Sequence, residues 1–307
     1  MIVEPDRFSV IAREQLERKF EVTLGPLTRK ELLSSIGTYY ALMIRLGHLF
    51  DEELLAKAKS LKVIGTPTTG LNHIDLAAAK QHGIHIVSLQ GERDFLDEIH
   101  ATAEFTWGLV LALLRKIPAA TDSVKRGDWN RDFFRGGELY GKVLGIIGYG
   151  RVGAKVAGFG RAFGMHVLAY DPYMAAPQWV GRIGLYDLAS SADVILVHAA
   201  HNESTQKMLG HRFFEAIKSG AFLINTARGE LMDEFALLNA LKNGRLAGAA
   251  MDVLCFENSL TDSLESLALI KYLRENDNLL ITPHIAGATN ESMEKTEIFI
   301  AKKMCFF

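Results

Sequence analysis

A chain of 307 residues is long for one domain and suits two. Hydrophobic residues make up 49% and charged residues 23%, a globular balance that excludes wholesale disorder. With 34 Lys and Arg against 36 Asp and Glu, the formal charge is −2, so no basic field favours nucleic acid or an acidic membrane surface. The longest apolar run, 105–114, is interrupted by Thr106 and Gly108 and is too short to cross a bilayer. Two cysteines, Cys255 and Cys305, cannot build a disulfide framework or a four-thiolate metal site. No secretory leader is expected in the first residues, and a reducing cytoplasm fits best. Small-molecule chemistry is the leading expectation.

Strands are predicted over 2–4, 21–24, 41–44, 62–65 and 84–87, alternating with stretches of helical apolar spacing at 12–19, 29–36, 52–59 and 75–81. That rhythm implies a parallel sheet. A long, mostly apolar helix is predicted over 98–115, ended by Pro118. The polar, Gly- and aromatic-rich stretch 119–141 suits an arm against another subunit better than an internal core. Alternation restarts with strands predicted at 143–147, 166–170, 193–198, 222–225, 247–253 and 279–282, a set that fits a doubly wound nucleotide-binding sheet. No internal repeat of the solenoid type is visible.

The strand 143–147 runs into Gly148-Tyr149-Gly150-Arg151-Val152-Gly153, and a helix is predicted to follow. Gly148 permits a tight turn, Gly150 removes a Cβ that would block a pyrophosphate, and Gly153 lets helix and strand approach closely. Amides of the first helical turn would then hold phosphate oxygens. The next strand ends at Asp171, 23 positions past the first glycine, where a carboxylate receives the adenosine ribose hydroxyls. An anionic side chain there repels a 2′-phosphate and no arginine follows at once, which favours NAD over NADP.

Ligands of open α/β sheets sit beyond the carboxyl ends of the strands. Three charged residues are expected there: Arg228 after the strand 222–225, Glu257 after 247–253, and His284 after 279–282. An arginine grips a carboxylate and polarises the adjacent carbonyl. A histidine passes a proton near neutrality, and a neighbouring carboxylate stabilises its imidazolium and fixes its ring. With a nicotinamide as hydride carrier, these groups are what interconverting a 2-hydroxy acid and a 2-oxo acid requires, and no metal is needed. His198 and His201 straddle a strand end without an obvious third metal ligand.

In the segments 148–153, 170–172, 225–229, 249–253 and 282–287, the chain resembles the D-isomer-specific 2-hydroxyacid dehydrogenases, a family that includes D-3-phosphoglycerate dehydrogenase. The resemblance implies two doubly wound parallel-sheet α/β domains. One is a flavodoxin-like outer substrate domain, 1–98 plus 283–307. The other is a Rossmann NAD-binding domain, 99–282, through which a homodimer would form. It makes Arg228, Glu257 and His284 catalytic and puts Thr226, Ala227 and Asp252 on the nicotinamide side, with His198 near the cofactor. Thr69 and Gly70 belong to a glycine-rich loop, 68–75, that would hold the substrate carboxylate. Arg45 would contact a substrate phosphate, if there is one, or form an ordinary salt bridge. The implied reaction interconverts a D-2-hydroxy acid and a 2-oxo acid with NAD, 3-phosphoglycerate being one candidate. The alternative is an NAD(H)-sensing, corepressor-like binding protein. The stretches 88–91 and 199–202 depart from the family pattern, and feedback through an appended serine-sensing domain is not expected.

Overall fold

The computed structural model describes residues 1–4, 7–173, 175–255, 257 and 268–307. They form two compact units, Met1–Ile99 with Ala288–Phe307, and His100–Gly287. The fold class is α/β with parallel sheets.

In the first unit, β1 (Ala41–Met43), β2 (Val63–Gly65) and β3 (His85–Val87) lie side by side and parallel, with Met43 opposite Gly65 and Gly65 opposite Val87. Ile2 bridges Met43 on one side and Leu24 on the other. The spatial order Leu24, Ile2, β1, β2, β3 is therefore the 2-1-3-4-5 arrangement of a flavodoxin-like sheet. Full strands were expected over 2–4 and 21–24, yet each contributes a single bridging residue. Glu21, Thr23 and Leu24 are exposed at the sheet margin, so little buried surface holds that segment extended. β1 and β2 are buried throughout, and Leu42, Ile44, Phe50, Leu54 and Ile64 are sealed in the core on one face. The other face is covered by the helix Asn290–Met304, whose Ile300, Ala301 and Met304 pack with Ile2, Met43 and Val63. Thr289 caps that helix by accepting the Ser292 amide at 3.0 Å.

The second unit is built on a parallel sheet of β4 (Val143–Ile147), β5 (His166–Tyr170), β6 (Gly181–Arg182), β7 (Val194–Val197), β8 (Ala221–Asn225), β9 (Leu246–Met251) and β10 (Leu279–Ile281). Among the described residues the order is β10-β9-β8-β7-β4-β5-β6. The chain winds outward one way from β4 and the other way from β7, so the topological switch point lies between those two strands. β7 is buried at every residue, as a strand covered by helices on both faces must be. β6 was not anticipated: two exposed residues carry no apolar signal.

The helix expected over 98–115 runs from Ala101 to Leu114 and buries Trp107, Val110 and Leu113. Trp107 stacks on Phe163 with ring centroids 4.8 Å apart and donates its Nε1 hydrogen to the Val156 carbonyl at 3.2 Å. Lys116, at a left-handed φ of 53°, breaks the chain direction, and a new helix, Ile117–Lys125, begins with Pro118 in its first turn. Pro118 thus starts a helix, as its fixed φ and missing N–H allow, and the opening of the expected arm, up to Lys125, is helical. The remainder exposes Trp129, Phe133 and Tyr140. No helix among the described residues is long and apolar enough to cross a membrane.

Candidate active site

The glycine turn follows β4 directly. Gly148 has a φ of 93°, and a Cβ on it would stand 2.4 Å from the Ala199 amide nitrogen, so only glycine lets this turn rest against the end of β7. A Cβ on Gly153 would stand 2.2 Å from the Gly148 carbonyl oxygen, which fixes how closely the helix Arg151–Ala162 approaches the turn. Gly150 differs: a Cβ there would meet nothing within 4 Å. Its missing side chain leaves open space in front of a 12-residue helix whose first turn has no side-chain cap. Open space before uncapped amides fits the pyrophosphate of a dinucleotide.

Of the residues expected here, Tyr149 is buried and gives its amide to Asp171 Oδ2 at 2.8 Å, so that N–H is already used. Arg151 and Val152, half-buried, open the helix. Asp171 follows β5 directly, and its Oδ1 accepts the Tyr173 amide at 2.9 Å. The carboxylate therefore braces the turn. His198 follows β7 across the switch point and donates its amide to the Ile147 carbonyl at 2.7 Å. Its Nε2 is buried without a hydrogen-bond partner among the described residues, and burial lowers its pKa to about 3, which keeps the ring neutral.

Arg228, Glu257 and His284 all follow strands that are neighbours in the sheet, β8, β9 and β10. His284 Nδ1 and Glu257 Oε1 are 2.8 Å apart. A carboxylate only accepts, so Nδ1 carries a hydrogen and Nε2 is the nitrogen left to exchange a proton with a ligand. Arg228 is half-buried and donates from Nη1 to the Ala227 carbonyl at 2.6 Å. The Arg228 loop is pinned by Asn225, fully buried, whose Oδ1 accepts the Ala227 amide and whose Nδ2 donates to the Arg228 carbonyl, both at 2.9 Å. A Cβ on the next residue, Gly229, would lie 2.2 Å from the Leu254 carbonyl carbon, so this loop sits directly on the one leading to Glu257.

Asp252 and Thr226, placed on the nicotinamide side by resemblance, are both buried and bonded to neighbouring segments. Asp252 is 1% exposed: Oδ1 accepts Thr282 Oγ1 at 2.6 Å and the Ile285 amide at 2.9 Å, and Oδ2 accepts the Ala286 amide at 2.8 Å. Its carbonyl also accepts the His284 amide at 2.8 Å, and its own amide reaches the Asn225 carbonyl at 2.9 Å. This carboxylate ties the His284 loop to β9. Residues 283–287 consequently belong to the second unit, and the chain passes into the first after Gly287, five residues later than expected. Thr226 is buried and shares a hydrogen bond with Thr106, Oγ1 to Oγ1, at 2.8 Å. Asn225 and the inward role of Asp252 were missed because a polar residue at a strand end reads alike whether it faces a ligand or a neighbouring loop.

In the first unit, Thr69 is exposed and Gly70 half-buried on the loop after β2. Thr68 Oγ1 bonds the Gly70 carbonyl at 2.9 Å, and Thr66 Oγ1 lies 3.2 Å from Nε2 of the buried His73. Of the two roles open to Arg45, the structure has the salt bridge: its Nη2 is paired with Glu297 Oε1.

The fold and these strand-end groups are those of a dinucleotide-linked oxidoreductase architecture, and comparison with known proteins gives its family. Residues 107–286 match the model of the D-isomer specific 2-hydroxyacid dehydrogenase, NAD binding domain. The chain belongs to that family. Among its relatives are D-3-phosphoglycerate dehydrogenases of Archaeoglobus fulgidus, 39% identical over 92% of this chain and 52% of the relative, and of Bacillus subtilis, 35% identical over 89% and 50%. The chain spans about half the length of the curated relatives it matches. A solved D-lactate dehydrogenase from Aquifex aeolicus, complexed with NAD and lactic acid, superposes with a TM-score of 0.81 at 30% identity, covering 99% of this chain and 93% of that one. The Escherichia coli D-lactate dehydrogenase gives 0.82 at 27% identity, over 97% and 94%.

Proposed function

We propose that this protein interconverts a D-2-hydroxy acid and its 2-oxo acid with NAD as the redox partner. The observation that carries the reading is the 2.8 Å pair of His284 and Glu257, beyond the two strands next to the one that leads to Arg228, in a unit that also carries the glycine turn. D-3-phosphoglycerate and D-lactate stand in the names of the relatives, and what they share is a carboxylate beside a secondary alcohol. When bound, the nicotinamide supplies or takes up the hydride.

The chain's own groups do the rest. The amides at the start of the helix Arg151–Ala162 face the phosphates, and Asp171 receives ribose hydroxyls. Arg228 holds the substrate carboxylate by a paired, charge-assisted hydrogen bond. His284 gives a proton from Nε2 to the carbonyl oxygen during reduction and takes it back during oxidation, while Glu257 fixes the ring through Nδ1. A set that grips, orients and moves a proton favours turnover over binding alone.

Two further parts of the reading concern surroundings. Exposed Trp129, Phe133 and Tyr140 on one stretch of the second unit support self-association through that unit, and a cytoplasmic setting agrees with two cysteines left as thiols. The test of the activity is NADH absorbance with a panel of 2-oxo acids, comparing the protein with its His284→Ala variant. Oxidation that the variant loses while still binding NADH supports the assignment. Equal rates in both would remove His284 from the reaction.

A further inference from the structure

Beyond Arg228 the chain turns through Gly229–Leu231 into the helix Glu234–Lys242. Asp233 caps that helix, accepting the Phe235 and Ala236 amides at 3.0 Å each. Glu234, the first helical residue, is half-buried and reaches instead to the segment after β9, where its Oε1 accepts the Cys255 amide at 2.8 Å. That N–H belongs to the peptide unit joining Leu254 to Cys255. The carbonyl of the same unit accepts the Glu257 amide at 3.4 Å, and the Leu254 amide donates to Glu257 Oε2 at 3.5 Å. Gly229 packs against it, since a Cβ there would stand 2.3 Å from the Cys255 nitrogen. The Cys255 thiol adds to the contact, with Sγ 3.8 Å from the Met232 carbonyl oxygen. Burial, then the Glu234 carboxylate, push that thiol up to about 12, with Glu230 adding to the rise and Lys207 opposing it. It stays protonated and remains a donor toward the segment that carries Glu234.

Resting on the dehydrogenase reading above, we infer that Glu234 is a positioning residue for the reaction: by holding the Leu254–Cys255 peptide it sets the backbone from which Glu257 reaches His284. The N–H and C=O of a peptide unit share one plane and point in opposite directions, so fixing one aims the other. With the Cys255 N–H on Glu234, the Leu254 carbonyl is directed at the Glu257 amide. Turning that plane breaks both bonds and frees the backbone that keeps Glu257 Oε1 2.8 Å from His284 Nδ1. The bond to Glu234 is charge-assisted, and without it the Cys255 amide has lost its acceptor. Arg228 has a tie of its own, because Asn225 pins its loop by two hydrogen bonds. Loss of Glu234 therefore impairs proton transfer and spares the grip on the substrate carboxylate.

The test is steady-state kinetics with NADH and the 2-oxo acid that the protein reduces fastest, on three variants. Glu234→Ala removes the acceptor, Glu234→Asp keeps the charge but falls one methylene short, and Glu234→Gln keeps an acceptor at full length. The first two are expected to lower kcat by about tenfold, with the KM of the acid and the Kd of NADH within about twofold of the parent. Glu234→Gln is expected to hold kcat within about threefold. Should Glu234→Ala fold poorly, the Asp and Gln variants carry the same comparison. A cycle with Glu257→Ala supplies the readout that a merely structural role would not move: adding Glu234→Asp to it should change kcat by less than about twofold. An unchanged kcat in Glu234→Asp, a loss that Glu234→Gln shares, or additive losses in the cycle overturns the inference and leaves the dehydrogenase reading standing. If no acid oxidises NADH, that reading has failed, and hydrogen exchange at the Glu257 amide decides the tie alone. Faster exchange in Glu234→Asp than in Glu234→Gln supports the inference, and equal exchange overturns it.

Discussion

Asp252→Asn should disable the protein while leaving its shape intact. The carboxylate takes three donors, Thr282 Oγ1 and the Ile285 amide on Oδ1 and the Ala286 amide on Oδ2. An asparagine oxygen in the Oδ1 position keeps the first two and turns an NH2 group toward the Ala286 N–H, donor against donor. The opposite flip loses the Ile285 amide. Either way at least one buried donor goes unsatisfied, at about 1–3 kcal/mol, and the surviving bonds lose their charge assistance. The loop is also under tension: His284 sits at a φ of 53°, a left-handed conformation that costs a residue with a Cβ roughly 1–2 kcal/mol. Its amide bond to the Asp252 carbonyl and the carboxylate's grip on the next two residues hold it there. Loosening this brace by about 2–4 kcal/mol lets His284 leave its working position and lowers kcat by roughly 30- to 1,000-fold. NADH affinity should change little, because the glycine turn and Asp171 lie across the sheet on β4 and β5. Steady-state kinetics, NADH titration and hydrogen exchange at Ile285 and Ala286 check this together. A variant with kcat within about twofold of the parent and unchanged exchange at both amides would refute the bracing role.

Glu257→Gln keeps a partner for His284 Nδ1 but removes the charge, and should lower kcat by about 10- to 100-fold with little effect on NADH binding; an unchanged kcat would reduce Glu257 to a surface acid. His198 governs acid stability. Its folded pKa of about 3 lies below the ordinary 6.5, so between those values the unfolded chain binds one proton more than the native one. Stability from this residue is therefore complete above pH 6.5 and falls by about 1.4 kcal/mol per pH unit as the pH drops toward 3. Urea midpoints for His198→Asn should show a shallower acid loss than the parent, and parallel curves would exclude the effect. Trp129→Ala with Phe133→Ala should weaken self-association in sedimentation without moving the thermal midpoint, since both side chains are exposed. An unchanged association constant would clear that surface of any role.

The parts of the molecule that were legible in the sequence are those whose signal is local. β4 and β5 fall on their expected bounds because they pair over five residues with each other inside the sheet, and VLGII and VLAY read as apolar runs. The glycine turn is visible because a strand, a tight turn and a helix start leave adjacent marks. Pro118 misled because the same residue that stops one helix can begin another, and only the left-handed Lys116 before it shows which. The pairing of Arg45 with Glu297 spans 252 positions and involves two residue types that occur throughout the surface, so no spacing announces it. Asp252 is the instructive case. It stands at a strand end within one sheet position of Arg228 and His284, is ionisable as they are, and belongs to the same run of motifs. Its difference from them is burial, which arises only when the loop after β10 folds back over β9 and offers two amides and a hydroxyl. Sequence motifs therefore mark where ionisable groups gather on this sheet, and the packing of one loop on its neighbour decides which of them meet the ligand and which hold the others in place.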